Sequence, residues 1–174
     1  MTTQTAQLFF ALLTIATLVG VLVLVVCRIL SRRVAGAAGI VQTAAFHRMP
    51  LCAAVTVTSM LGSLYFSEVA NYVPCTLCWY QRIAMYSLAV ICTIAAVRRE
   101  DIRVYAAALA GIGIVISTYH WFLERFPELE TGVCSSSVPC NLVWFERFGF
   151  ITLPFMAFTG FLAVLTLTVL SRKD

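Results

Sequence analysis

Chemistry in this chain is concentrated in VPCTLCWYQR, Val73 to Arg82, where Cys75 and Cys78 enclose two residues. Pro74 disfavours a helical residue before it and suits the opening of a helix. A helix starting here would carry Cys75, Cys78 and Arg82 at i, i+3 and i+7, on one face. A helix N-terminus and a nearby guanidinium both stabilise a thiolate, the form of cysteine that attacks a disulfide. Two thiols with a cation beside them suggest redox work. Half of a zinc site and a merely structural disulfide are the competing readings of the same spacing. A second pair, Cys134 and Cys140 in GVCSSSVPC, encloses five residues.

The rest of the chain must hold these groups in place, and its composition says how. Of 174 residues, 61% are hydrophobic and 11% charged; mean hydropathy is +0.93. Soluble domains carry about 25% charged residues, so this is an all-α integral membrane protein. The net charge of +4 reads as membrane topology rather than nucleic-acid binding. Five runs are long enough to span: Leu8–Cys27, Leu51–Ala70, Trp79–Val97, Val104–Leu123 and Phe150–Leu170. The basic segment from Arg28 to Pro50 reads as a linker, its apolar core Val34 to Phe46 too short to cross and suited to a surface helix. Nine basic residues fall on one side and three (Arg82, Arg125, Arg147) on the other. The positive-inside rule then sets the N-terminus outside and the C-terminus inside. A cleaved signal peptide is rejected, since the first run lacks a basic n-region and its apolar stretch is too long.

This topology sorts the seven cysteines. Cys75/Cys78 fall in the first outer loop and Cys134/Cys140 in the second, where disulfides persist. Cys27, Cys52 and Cys92 read as apolar fillers. Four-cysteine zinc sites are mostly intracellular and the two pairs sit on separate loops, so no metal is expected. Loop staples add little to a bundle already held by its spans. Redox use is the reading that remains. Arg82 could bond an acceptor oxygen and favour the Cys78 thiolate, or could snorkel to headgroups. His120, ending the fourth span, could bond a second acceptor oxygen, shuttle a proton, or anchor at the interface. Tyr86 lies one turn below Arg82, and Glu68 could pair with that arginine. Trp79, Tyr80, Trp121, Trp144, Phe145 and Phe148 suggest an aromatic belt. Asn141 to Phe148 reads as a short amphipathic helix, Glu124, Glu128, Glu130 and Glu146 as a solvated acidic loop, and Ala107, Gly111 and neighbouring small residues as a close-packing face.

The chain resembles the DsbB-like (including BdbC-like) disulfide-bond-forming membrane proteins. The likeness rests on VPCTLCWYQR opening a span, the second outer pair, and WFERFGFITLPF leading into the last span. It covers roughly Leu51 to Leu170. It implies a four-helix transmembrane bundle over 51–174, with 1–50 an extension bearing one extra span. It also implies a quinone-dependent thiol oxidase, taking ubiquinone or menaquinone, that reoxidises a DsbA-like thioredoxin-fold partner from the extracytoplasmic side of the cell inner membrane. Cys134 would form the mixed disulfide with the partner, Cys140 would exchange with Cys75, and Cys78 would face the quinone. Arg82, His120 and Tyr86 would line the quinone site. The sequence has no Gly-rich dinucleotide fingerprint, which leaves a lipid-soluble acceptor as the simplest choice. A VKOR-like quinone reductase is the nearest alternative, but there the CxxC follows the loop pair. A non-enzymatic membrane subunit with structural disulfides is the other; no paired intramembrane charges support transport.

Overall fold

A computed structural model describes residues 2–134 and 138–170. The described residues form helices with no strand; most connections are short, but the one from residue 124 to 152 is long and holds only a 3-10 turn, Pro127–Leu129. Helix α1 is Thr3–Leu30, α2 Ala35–Phe46, α3 Arg48–Leu64, α4 Thr76–Arg98, α5 Arg103–Leu123 and α6 Leu153–Leu170; a π-helical turn, Tyr65–Val69, extends α3. Helices α1, α3 with its π turn, α4 and α5 are long and apolar enough to cross a membrane, and Leu153–Val169 is a shorter apolar helix. The five expected spans are thus five helices, α6 being the short one. Residues 35–46 form a helix too short to cross, as expected for the linker's core.

Lipid is as apolar as leucine, so close fit rather than hydrophobic burial must hold such helices together. Helix α6 packs on α5, α1 and α3, while α3 packs on α4 and α4 on α5. Phe161 of α6 is fully buried against Gly113 of α5, and a Cβ there would drive into its ring. The close-packing face of α5 is Ala106, Ala110, Gly113 and Ser117, all buried. Small residues around Ala107 and Gly111 were expected there, and their neighbours Ala106, Ala110 and Gly113 supply the contact; a Cβ on Gly111 itself would meet nothing within 4 Å. Cys52 and Cys92 are fully buried in the central apolar cluster with Leu88 and Val164, as fillers should be.

Hydrogen bonds sort the two ends of the bundle. At one end Gln7 Nε2 donates to the Tyr72 hydroxyl at 2.7 Å, and Arg147 Nη2 donates to Gln7 Oε1 at 2.7 Å. The N-terminus of α1 therefore sits beside both cysteine loops. At the other end Arg48 pairs with Asp101 at 3.0 Å, joining the α2–α3 and α4–α5 connections.

The amphipathic helix expected over 141–148 does not form. Phe148 and Gly149 both take positive φ, 54° and 77°, and an isolated bridge pairs Arg147 with Ile151. A left-handed pair closes a turn and stops a helix. Trp144 instead stacks on Tyr72 with centroids 4.7 Å apart, and Phe145 lies 5.3 Å from Phe66. These two rings point into the protein, whereas Trp79, Tyr80 and Phe148 are exposed as belt residues should be.

Candidate functional site

Helix α4 begins where Pro74 predicts. Asn71 takes a left-handed φ of 58° after the π turn, a conformation asparagine tolerates. The chain then runs without regular structure to Cys75, the N-cap of α4. Its Sγ accepts the Cys78 backbone N–H at 3.3 Å, in the place a serine or aspartate oxygen normally takes. The Cys75 and Cys78 sulfurs are 2.9 Å apart and hydrogen-bonded, neither of them in a disulfide.

The two sulfurs share one face, as the spacing implies, but their surroundings differ. Cys75 is buried in a cluster with Leu77, Leu123 and Cys140. His120 Nε2 lies 3.6 Å from its sulfur and 3.0 Å from the Cys140 carbonyl. A carbonyl only accepts, so Nε2 carries the proton. Nδ1 takes the Gln81 amide nitrogen at 2.8 Å, which fixes the imidazole's orientation. Cys75 is pulled to about 4, first by the hydrogen bond from Cys78 and then by His120, against a desolvation that opposes it. Cys75 is thus held as a thiolate by its neighbours at the mouth of α4.

Cys134 and Cys140 are joined in a disulfide. Cys140 is buried beside Cys75, while Cys134 is partly exposed and its N–H donates to Glu130 Oε1 at 3.2 Å. Both sulfurs of the pair pack on the cluster that holds Cys75, Cys140 fully buried and Cys134 the more accessible of the two.

Cys78 opens onto a cavity of about 330 Å³ bounded by α1, α3, α4 and α6. Its polar end is formed by Arg82, Ser63 and Tyr86. Arg82 Nε donates to Ser63 Oγ at 3.0 Å and Nη2 to the Ser63 carbonyl at 3.1 Å, and the Tyr86 hydroxyl donates to Ser63 Oγ at 3.2 Å. The Arg82–Glu68 pair is absent: Glu68 Oε1 accepts from Ser67 at 2.8 Å. His120 was expected at this cavity, yet only its partner Gln81 lines it. The imidazole belongs to the Cys75–Cys140 side.

Ser63, Gln81 and Tyr72 were not singled out from the sequence. Gln81 had a signal, being a neutral polar residue one position before Arg82 in an apolar helix. Glu124 also differs from expectation. Its side chain is 3% exposed rather than solvated. Burial pushes its carboxyl up to about 7, opposed by the Thr152 hydroxyl, His120 and Arg125. The donor atoms of Cys75, Cys78 and His120 lie within 4.8 Å of one another, close enough to hold a thiophilic ion. Such a ligated pair could not cycle between dithiol and disulfide.

A helical membrane bundle with a CxxC at a helix mouth and a loop disulfide against it defines a membrane thiol–disulfide protein. The family model "Disulfide bond formation protein DsbB" matches residues 45–138. The chain is 46% identical over 120 residues to a "Probable disulfide formation protein" of Oceanobacillus iheyensis, covering 67% of this chain and 82% of that one. It is 41% identical over 123 residues to "Disulfide bond formation protein C" of Bacillus subtilis, covering 69% and 88%. The chain belongs to the DsbB family of disulfide formation proteins. No solved structure matches it.

Proposed function

We propose that this protein is a dithiol:quinone oxidoreductase that reoxidises a DsbA-like thiol oxidase outside the inner membrane. The observation that carries this reading is the division of the CxxC, with Cys75 against Cys140 and Cys78 on the cavity. A partner thiolate attacks Cys134, the more accessible of the pair, the Cys134–Cys140 bond breaks, and Cys140 leaves as a thiolate. The partner's second thiolate then displaces Cys134, completing the partner's disulfide. Cys140 next attacks Cys75 of an oxidised Cys75–Cys78 pair, and Cys78 leaves as a thiolate. Cys134 closes back onto Cys140 and releases Cys75 as a thiolate, which Cys78 and His120 stabilise. Two electrons have then moved to the CxxC, the arrangement of bonds present here.

The cavity fits a lipid-soluble acceptor, with one polar end at Arg82, Ser63 and Tyr86, the remainder mostly apolar, and a volume within the usual ligand range. A bound ubiquinone or menaquinone would supply a two-electron, two-proton acceptor stronger than a DsbA-type oxidant. Arg82 would hold its ring by charge-assisted hydrogen bonding. In this reading residues 1–50 are an extension to a redox domain at 51–174, and both cysteine loops face the extracytoplasmic side.

Reduction of quinone by a reduced DsbA-type protein in liposomes tests the assignment. Cys78→Ser should abolish turnover, and Arg82→Ala should raise the quinone KM about tenfold, roughly the loss of one charged hydrogen bond. A wild-type protein that turns over no quinone with any such partner would refute it.

A further inference from the structure

Helix α1 precedes the segment that matches the family, which begins at residue 45. It nevertheless builds part of the cavity. Phe10, Leu13, Thr14 and Thr17 of α1 line it, opposite Ala54, Val55 and Thr58 of α3. The lining runs along α3 from Ser67 down to Ala54, about 20 Å at the helical rise of 1.5 Å per residue. Ser63, which Arg82 and Tyr86 hold, lies nearer the Ser67 end of that length, and the lining continues past it to Ala54, farther than a ring needs. Phe10 of α1 sits level with Ser63, on Gly62, and Leu13, Thr14 and Thr17 continue the α1 wall.

The α1 wall is apolar by construction. The Thr14 hydroxyl donates to the Phe10 carbonyl at 2.8 Å and the Thr17 hydroxyl to the Leu13 carbonyl at 2.8 Å. Both hydroxyls are satisfied within their own helix, so the cavity needs to supply them no partner. The wall is also fixed in place. The Phe10 ring seats on Gly62, where a Cβ would come within 2.7 Å, and Gln7 is held by Tyr72 and Arg147. Helix α1 packs on α6 and α2, touches α3 where Phe10 meets Gly62, and shares the cavity lining with α3 through Leu13, Thr14 and Thr17.

We infer that α1 supplies a subsite for the hydrophobic tail of the acceptor, formed by Phe10, Leu13, Thr14 and Thr17. This rests on the quinone reading above and adds to it a specificity element outside the family-matched segment. A linear isoprenoid chain in the α1–α3 space would lie against side chains that ask for no hydrogen bond. Discrimination between long-tailed and tailless acceptors would then come from α1, and recognition of the ring from α4.

Photolabelling of the full chain in nanodiscs tests this directly, using a quinone whose isoprenoid tail carries a diazirine. Peptide mapping should place label within Phe10 to Thr17, and excess unmodified long-tailed quinone should remove it. Label at Leu22, which is 62% exposed on the same helix, should not be competed. Thr14→Trp should lower the competable label about tenfold and raise KM about tenfold for the long-tailed acceptor, but less than about twofold for a tailless one. Thr14→Val keeps the shape and should retain the label. Absence of competable label on α1, or equal KM changes for both acceptors, overturns the inference. Competable label on α1 in a wild type without turnover would refute the oxidase reading alone; turnover without such label would refute this subsite alone.

Discussion

Cys75 and Cys78 are one helical turn apart, and that turn separates two chemical environments. Cys75 meets the helix N-terminus, Cys78, His120 and the buried loop cysteine, and it sits at about 4, far below the ordinary thiol range. The sign follows from a depressed folded value: the thiolate persists as pH falls until about 4 and is lost below it. Its contribution to stability is full above the pKa of the unfolded chain and fades as pH falls toward about 4. In protein with the loop disulfide intact, thiolate absorbance that Cys75→Ser removes should titrate near pH 4. His120→Ala should move that titration upward, and an unmoved midpoint would show that His120 does not stabilise the thiolate. Cys75, Cys78, Arg82, Cys134 and Cys140 were all legible in the sequence, because spacing and loop position alone mark them. Ser63, Gln81 and Tyr72 were not, since a single neutral polar side chain in an apolar stretch reveals its partner only after folding.

The helices themselves were legible from hydropathy, because a membrane forces every backbone group into a helix or barrel. What failed were features set by packing. Residues 141–148 carry a helical pattern of apolar positions, yet the left-handed Phe148–Gly149 turn and the Trp144–Tyr72 stack take precedence. The small residues of α5 were legible as a packing face, but which of them meets α6, Gly113 rather than Gly111, depends on where Phe161 falls. Gly113→Ala should therefore destabilise the bundle by about 1–3 kcal/mol, because the buried Phe161 ring cannot yield. Gly111→Ala, which meets open space, should leave thermal unfolding in detergent nearly unchanged. If both variants melted alike, the α5–α6 contact would be wrongly placed. The end of α5 makes a second case. Glu124 is buried and raised to about 7, so folding favours its neutral form. That stabilisation is full below the ordinary carboxylate value and is lost as pH rises through about 7. Glu124→Gln should flatten the decline in melting temperature between pH 5 and pH 8, a window set by the raised value of about 7. A decline unchanged by the substitution would remove Glu124 as its cause.

Across the whole molecule, the positive-inside count and the hydrogen bonds at the two ends reach the same arrangement independently. Nine of twelve basic residues lie in the segments expected on one side. The Gln7 contacts join the N-terminus to both cysteine loops, and the Arg48–Asp101 pair joins the opposite connections. An odd number of crossings follows if the short α6 spans along with the four longer helices. The alternative is an α6 that enters the bilayer without crossing it, which would return the C-terminus to the side of the cysteine loops. Single cysteines placed at Thr3 and at Lys173, in a chain whose other cysteines are replaced by serine or alanine, separate the two arrangements. A membrane-impermeant maleimide applied to intact cells should label the Thr3 site and spare the Lys173 site until the membrane is permeabilised. Labelling of both sites in intact cells would make α6 re-entrant, and the five-span bundle would fail. Labelling of neither would place the cysteine loops on the reducing side of the membrane. There the Cys134–Cys140 disulfide would not persist, and the oxidase reading would lose its chemical setting.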